Sequence, residues 1–184
     1  ACGAVACRGV VWIRGARLGV QCGSYGGYMT SGIVAHSDRF KAACSERAAN
    51  KLLHLECDSD AAGGFRGYIG FTHVERPDLY TRQSPSTYVS AMRTPMLLVH
   101  SEDDLRCPIS QAEELFVGLR LLGRRPELVR FPGESHELSR SGSPAHRAQR
   151  ADIILEWFAG RLQVSTDRET SPRLVDGANT PGLG

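Results

Sequence analysis

No run of about 18 apolar residues occurs in this 184-residue chain, and a bilayer-spanning helix needs roughly that many. Lysine is nearly missing, confined to Lys41 and Lys51. Arginine supplies the rest of the 22 basic side chains, which face 20 acidic ones for a formal charge of +2. The arginines alternate with acids, as Glu113 and Glu114 do with Arg120, and Asp152 and Glu156 with Arg161. That pattern describes a solvated surface and excludes a nucleic-acid face. The six cysteines (2, 7, 22, 44, 57 and 107) follow no disulfide-framework spacing. They are expected to be reduced thiols of a cytoplasmic protein, with a Cys2–Cys7 pair as the alternative. Cys22, Cys44 and Cys107 fall in or beside predicted strands, where a free thiol packs as a small hydrophobe. Cys57 with His54 and His73 matches no zinc spacing. Neither a cofactor motif nor an internal repeat is visible.

What is present suits one soluble domain: 41% hydrophobic and 23% charged residues. The domain is expected over residues 1–163. Beyond Val164 the chain turns polar and rich in glycine and proline, so residues 164–184 are expected to form a disordered tail.

The densest information lies between Val20 and Met29, in Val-Gln-Cys-Gly-Ser-Tyr-Gly-Gly-Tyr-Met. An apolar run (Leu18, Val20) ends in a turn of small residues with Ser24 at its apex. Helical spacing (Met29, Ile33, Val34) follows. Strand, sharp turn and helix in that order expose a nucleophilic serine above an α/β-hydrolase sheet. A flexible glycine-rich loop is the bland alternative, so the reading needs partners.

A serine hydroxyl needs a base, and the base needs an orienting acid. In this fold they come in the order serine, acid, histidine. Pro95 to His100 is a continuous apolar run, the mark of a strand buried on both faces. It leads directly into Ser101-Glu102-Asp103-Asp104. Leu128 to Phe131 is a second short strand, followed by Pro132-Gly133-Glu134-Ser135-His136. The separations leave room for βα units between Ser24, the acid and His136. The other histidines have blander readings: His100 as a packed strand end, His36, His54 and His73 as surface or loop residues, His146 as an exposed first-turn position.

With these residues in view, the chain resembles the catalytic domain of the prolyl oligopeptidase family, nearest its acylaminoacyl-peptidase and dipeptidyl-aminopeptidase-like members. The matching strings are Gly23 to Thr30, His36 to Ala43, Ser84-Pro85 with Tyr88-Val89, Thr94-Pro95 to Pro108, and Phe131 to His136. The resemblance spans about Arg17 to Leu162. It implies Asp104 as the acid, with Asp103 as runner-up, and His136 as the general base. The Tyr25 backbone N–H would be one oxyanion donor. The second, a tyrosine hydroxyl in the family, has no match here. No metal or other cofactor is implied.

Two departures stand out. Cys22 occupies a position that is usually glycine and is expected to crowd the turn, and Ser101 replaces another glycine. The resemblance also implies several strands and a β-propeller before the serine strand, whereas only residues 1–16 precede it here. The chain is therefore expected to be the carboxyl-terminal part of a larger enzyme. The expected fold is an α/β-hydrolase truncated at its N-terminus, with four parallel strands at about 17–22, 40–45, 95–100 and 126–131. The expected helices run from about Gly27 to His36, from a capping box at Ser110–Glu113 to Gly123, and from Ser143-Pro144 to about Gly160. Residues 46–92 are expected to form loops with short helices. The leading function is a serine peptidase releasing short units from peptide N-termini, with no nucleic-acid or membrane partner. The alternatives are an esterase of the same fold and an inert remnant.

Overall fold

The four apolar runs pair as one sheet in the computed structural model of the protein, which describes residues 17–162. Strands β1 (Gly19–Gly23), β2 (Ala42–Glu46), β3 (Met96–Ser101) and β4 (Glu127–Phe131) lie in that order, each parallel to the next. Val20 is paired with Ala43, Cys44 with Leu97, and Leu98 with Leu128. The possible Cys2–Cys7 pair and the tail 164–184 lie outside the described residues. Among the described residues β1 is an edge strand.

A parallel pair needs a crossover, and the intervening helices supply it. Because every step goes to the next neighbour in one direction, right-handed crossovers place all intervening helices on one face. Burial follows that rule. Helix α1 (Tyr25–His36), the 3₁₀ segment Pro85–Ala91 and helix α5 (Ser110–Leu121) frame one side. There Val34, Ala35, Leu115 and Leu119 pack on Val20, Ala43, Met96 and Leu98. The opposite face alternates in register: Ala42, Cys44, Leu97 and Val99 meet Leu138 and Trp157. Leu138 opens the short helix α6 (Leu138–Ser141), and Trp157 belongs to α7 (Pro144–Leu162). No strand follows α7 among the described residues, so the crossover rule leaves it free to cover the second face. β2 and β3 are consequently buried at every position, as parallel strands between two helical layers are.

Gly19 shows how closely α7 lies on β1. A Cβ there would stand 2.5 Å from Phe158 Cε1, inside the contact distance of any packed carbon. Between β2 and β3 run α2 (Leu52–Asp58), α3 (Arg66–Ile69) and α4 (Pro77–Gln83). They gather Leu52, Leu55, Tyr80 and Cys107 into a third apolar cluster. The Ser84 hydroxyl accepts from Leu52 N (2.9 Å) and donates to Tyr80 O (2.7 Å), tying the segment together.

The strand ends differ from expectation by one or two residues, and α1 begins earlier, at Tyr25. The capping box does not form. Ser110 is already helical, without a side-chain cap. The carbonyls of Pro108 and Ile109 take the amides of Gln111, Ala112 and Glu113, which leaves Glu113 free to bond Arg130 at 2.7 Å. Gly123 ends α5 as expected, at φ 71°.

Helix α7 is also held by charge. Arg150 donates to both oxygens of Glu46, with Nη2 at 2.7 Å from Oε1, and Gln21 donates to the same carboxylate. Glu46 is 3% exposed at its side chain. Removing one partner of a buried pair strands the other charge. Arg150→Met is therefore expected to destabilise the fold by about 3–5 kcal/mol. Adding Glu46→Gln should recover part of the loss, both effects being read from urea midpoints.

Candidate active site

Ser24 closes β1 and precedes α1 with φ 61° and ψ −125°. A non-glycine residue held in this region stores about 1–3 kcal/mol of strain, and such positions concentrate at functional sites. The turn is clamped from below, because Ser24 N donates to Glu46 O at 3.0 Å. That engagement removes Ser24's own amide from the space around its hydroxyl. The Tyr25 amide, first in α1, has no acceptor within the helix and stands at the positive end of the helix dipole.

Cys22 fits this turn without closing it. A Cβ on Gly26 would stand 2.1 Å from Cys22 Sγ and 2.7 Å from its Cβ. The expected crowding does not arise, since the residue two after the serine has no side chain and leaves the space to Cys22.

The two other predicted residues converge on Ser24. His136 Nε2 lies 2.9 Å from Ser24 Oγ, and His136 Nδ1 lies 2.8 Å from Asp104 Oδ2. An ionised carboxylate only accepts, so Nδ1 carries the proton and Nε2 offers its lone pair to the serine O–H. The second carboxylate oxygen, Asp104 Oδ1, accepts from Arg106 N (3.0 Å) and Cys107 N (2.8 Å). Asp104's side chain is fully buried. Asp103, the runner-up, is exposed and uses only its amide, which donates to Glu134 O at 3.0 Å.

His100 is the structural residue expected of it, buried, with Nε2 donating to Cys107 O at 2.7 Å and lying 3.5 Å from Asp104 Oδ2. Burial pushes its pKa below the ordinary histidine value, against the pull of the Cys107 carbonyl and of Asp104. It stays neutral beside the buried acid. Burial likewise raises the Cys107 thiol to about 12, which keeps it protonated and inert. Arg106 braces the acid loop through its amide, while its guanidinium pairs with Asp60 at 2.6 Å. Glu102 pairs with Arg130 at 2.8 Å.

Two supporting residues, Glu134 and Arg47, had no reading in the sequence. Glu134 binds two amino-acid stretches to the His136 loop: its carbonyl accepts from Asp103 N, and its Oε1 accepts from Ser143 N (3.0 Å) and His146 Nδ1 (2.7 Å). Those two donors hold its carboxyl below the usual range. His146 is accordingly not the exposed position expected: it is half-buried and packs edge-on to Phe131 with centroids 5.5 Å apart. Arg47 follows β2 at φ 35° and donates to Ser139 Oγ at 2.8 Å. Its guanidinium lies about where a Gly23 side chain would begin, 3.0 Å from that Cβ position, and burial lowers its pKa. The pattern Glu-x-His was the one available signal for Glu134. Of the two residues expected on the surface or in loops, His73 lies in a turn and His54 within α2; both are half-buried and face Glu56 and Glu114 at 2.9 and 3.5 Å. Among the described residues no group of three His, Cys, Asp or Glu side chains is placed to hold a metal, and no helix is long and apolar enough to cross a membrane.

A serine in a left-handed turn between parallel strand and helix, with partners from the loops after β3 and β4, has the architecture of an α/β-hydrolase. The chain belongs to the prolyl oligopeptidase family, whose pattern matches residues 2–165. It is 42% identical over 147 residues to the uncharacterized peptidase YuxL of Bacillus subtilis, covering 79% of this chain and 22% of that one. Dipeptidyl-peptidase 5 of Porphyromonas gingivalis is 29% identical over 130 residues, with coverages of 68% and 19%. The solved acylaminoacyl peptidase of Pyrococcus horikoshii superposes with a TM-score of 0.78 at 32% identity, covering 84% of this chain and 25% of that one. The chain thus spans a quarter or less of the length of these relatives.

Two outcomes follow from the geometry. Gly26→Ala should destabilise the elbow by about 1–3 kcal/mol through overpacking, and Cys22→Gly in the same chain should restore most of it, a coupling measured by a double-mutant cycle in urea. Separately, a histidine with a depressed folded pKa takes its proton first in the unfolded state. Its share of stability is therefore full above about pH 6.5 and lost as pH falls from there. His100→Gln, which keeps a donor for Cys107 O, should flatten that limb of the stability profile.

Proposed function

We propose that the protein is a serine peptidase that works through an acyl-enzyme on Ser24. His136 takes the hydroxyl proton as Ser24 attacks the scissile carbonyl, then delivers it to the leaving amine. Asp104 fixes the imidazole tautomer and stabilises the imidazolium. The Tyr25 N–H donates to the developing oxyanion, a contribution of about 3–4 kcal/mol per donor in comparable sites. Water enters from the same side and reverses the sequence to free the acid. The observation that carries this reading is the unbroken row Asp104–His136–Ser24, both links under 3 Å.

The substrates of this reading are short peptides, cleaved after an N-terminal aminoacyl, acylaminoacyl or dipeptidyl unit, in keeping with the names of the relatives. Tyr25 is 74% exposed beside the serine and stacked on Tyr28 at 5.6 Å between centroids, which offers an apolar platform at the site's mouth. The reading extends to a larger enzyme, with further strands beside β1 and a β-propeller over the site, supported by the greater length of the relatives.

A fluorophosphonate probe should label the wild type and not Ser24→Ala, and Asp104→Asn should slow labelling by about 10⁴. Dipeptidyl and acylaminoacyl anilides should turn over at least as well as short p-nitrophenyl esters. Labelling that survives Ser24→Ala overturns the proposed nucleophile, and turnover of esters alone makes the protein an esterase.

A further inference from the structure

At the end of the strands opposite Ser24, the segments entering β3 and β4 line a half-open cavity of about 190 Å³. Arg93, Arg124, Arg125 and Arg161 line it, over a floor that includes Pro95 and Met96, and no acidic side chain is among its walls. We propose that this cavity binds a small anion of the phosphate class carrying at least two negative charges.

The charge pattern is the first reason. Seven arginines elsewhere on the described surface meet acids, among them Arg66 with Glu75, Arg76 with Asp78, Arg106 with Asp60, and Arg130 with Glu102 and Glu113, while Arg39, Arg120 and Arg147 stand singly rather than around one space. In this cavity only Arg161 has a carboxylate, Glu127 at 3.0 Å. Among the described residues none forms an ion pair or a side-chain hydrogen bond with Arg93, Arg124 or Arg125. Three uncompensated guanidiniums around one space repel each other until an anion enters.

The second reason is an orphaned donor. Arg124 Nε is shielded from solvent and has no hydrogen-bond partner. A buried donor calls for an acceptor, and none is supplied by the described chain.

The third is preorganisation. Arg161 is held over Trp157, with Cζ 3.1 Å from the ring centroid. Arg124 N donates to Leu119 O at 3.0 Å, and prolines 95 and 126 stiffen the two entering segments. The guanidinium fork matches the oxygens of a phosphate bidentately. A lone carboxylate would leave most of the charge unanswered. A cavity of this size, several times the roughly 30 Å³ share of one water, admits a phosphate or pyrophosphate group.

Calorimetric titration of the full chain with pyrophosphate, and in parallel with inorganic phosphate, tests this against sodium chloride at matched ionic strength. One saturable site per chain is expected, tighter for pyrophosphate. Arg93→Gln with Arg125→Gln, both exposed, should weaken it about tenfold or more with an unchanged far-UV circular dichroism spectrum. Arg124→Lys, which keeps charge but loses the fork, should weaken it as well. Heats no larger than those of sodium chloride overturn the proposal. So does undiminished binding by the folded double variant. Neither readout depends on Ser24, so failure here is separable from failure of the peptidase reading.

Discussion

Asp104 holds a carboxylate where water does not reach it, and an isolated charge in such a place is prohibitively costly. Its loop is shaped by that problem. After β3 the chain must curl so that the amides of Arg106 and Cys107 return to one carboxylate oxygen, leaving the other for His136. His100, one strand position before Ser101, is kept neutral by burial and turns its N–H toward the same region. The imidazole of His136 inherits its direction from this satisfied charge. Its remaining nitrogen then has one place to point, the Ser24 hydroxyl. Removing the carboxylate would release the histidine before it disturbed the sheet.

The sheet makes that meeting possible without itself taking part. Parallel strands end on one rim, so residues from the ends of β1, β3 and β4 meet although the chain separates them widely. Helix α7 holds the rim together from behind. Its Phe158 sits against Gly19 of β1, its Trp157 fills the second core, Arg150 pins Glu46, and His146 in its first turn anchors Glu134. One helix thereby fixes the strand that carries the serine and the loop that carries the imidazole.

Strands and the order of the three polar residues were legible because their signals are local. A continuous apolar run needs no tertiary context to be read, and neither does a serine among small residues after such a run. What could not be read depends on neighbours distant in sequence. Ser110 to Glu113 has the letters of a capping box, yet Pro108 and Ile109 already supply carbonyls to the first amides, so the serine entered the helix. His146 has an ordinary first-turn position in the sequence, and only the approach of Glu134 and Phe131 covers it. Cys22 was read as crowding the elbow, and the room it needs is left by Gly26 across the turn. Arg47 carried no signal at all, because a positive φ at an arginine is imposed by surroundings and not by its own preference.

The strain at Ser24 shows where the stability of the site resides. A serine at φ 61° is held there by its surroundings and not by its own preference. The acceptor that holds its amide is Glu46 O, at the last residue of β2, and the Glu46 side chain is clamped in turn by Arg150. The force on the turn thus runs from α7 through β2 to β1. Among the described residues β1 has no strand on its other side, so its support comes from β2 and from α7. A change on α7, more than a hundred residues further along the chain than Glu46, therefore reaches the serine turn through Glu46 as well as through the Phe158–Gly19 contact. The hydroxyl is exposed by strain in its own strand and kept exposed by charge held in another.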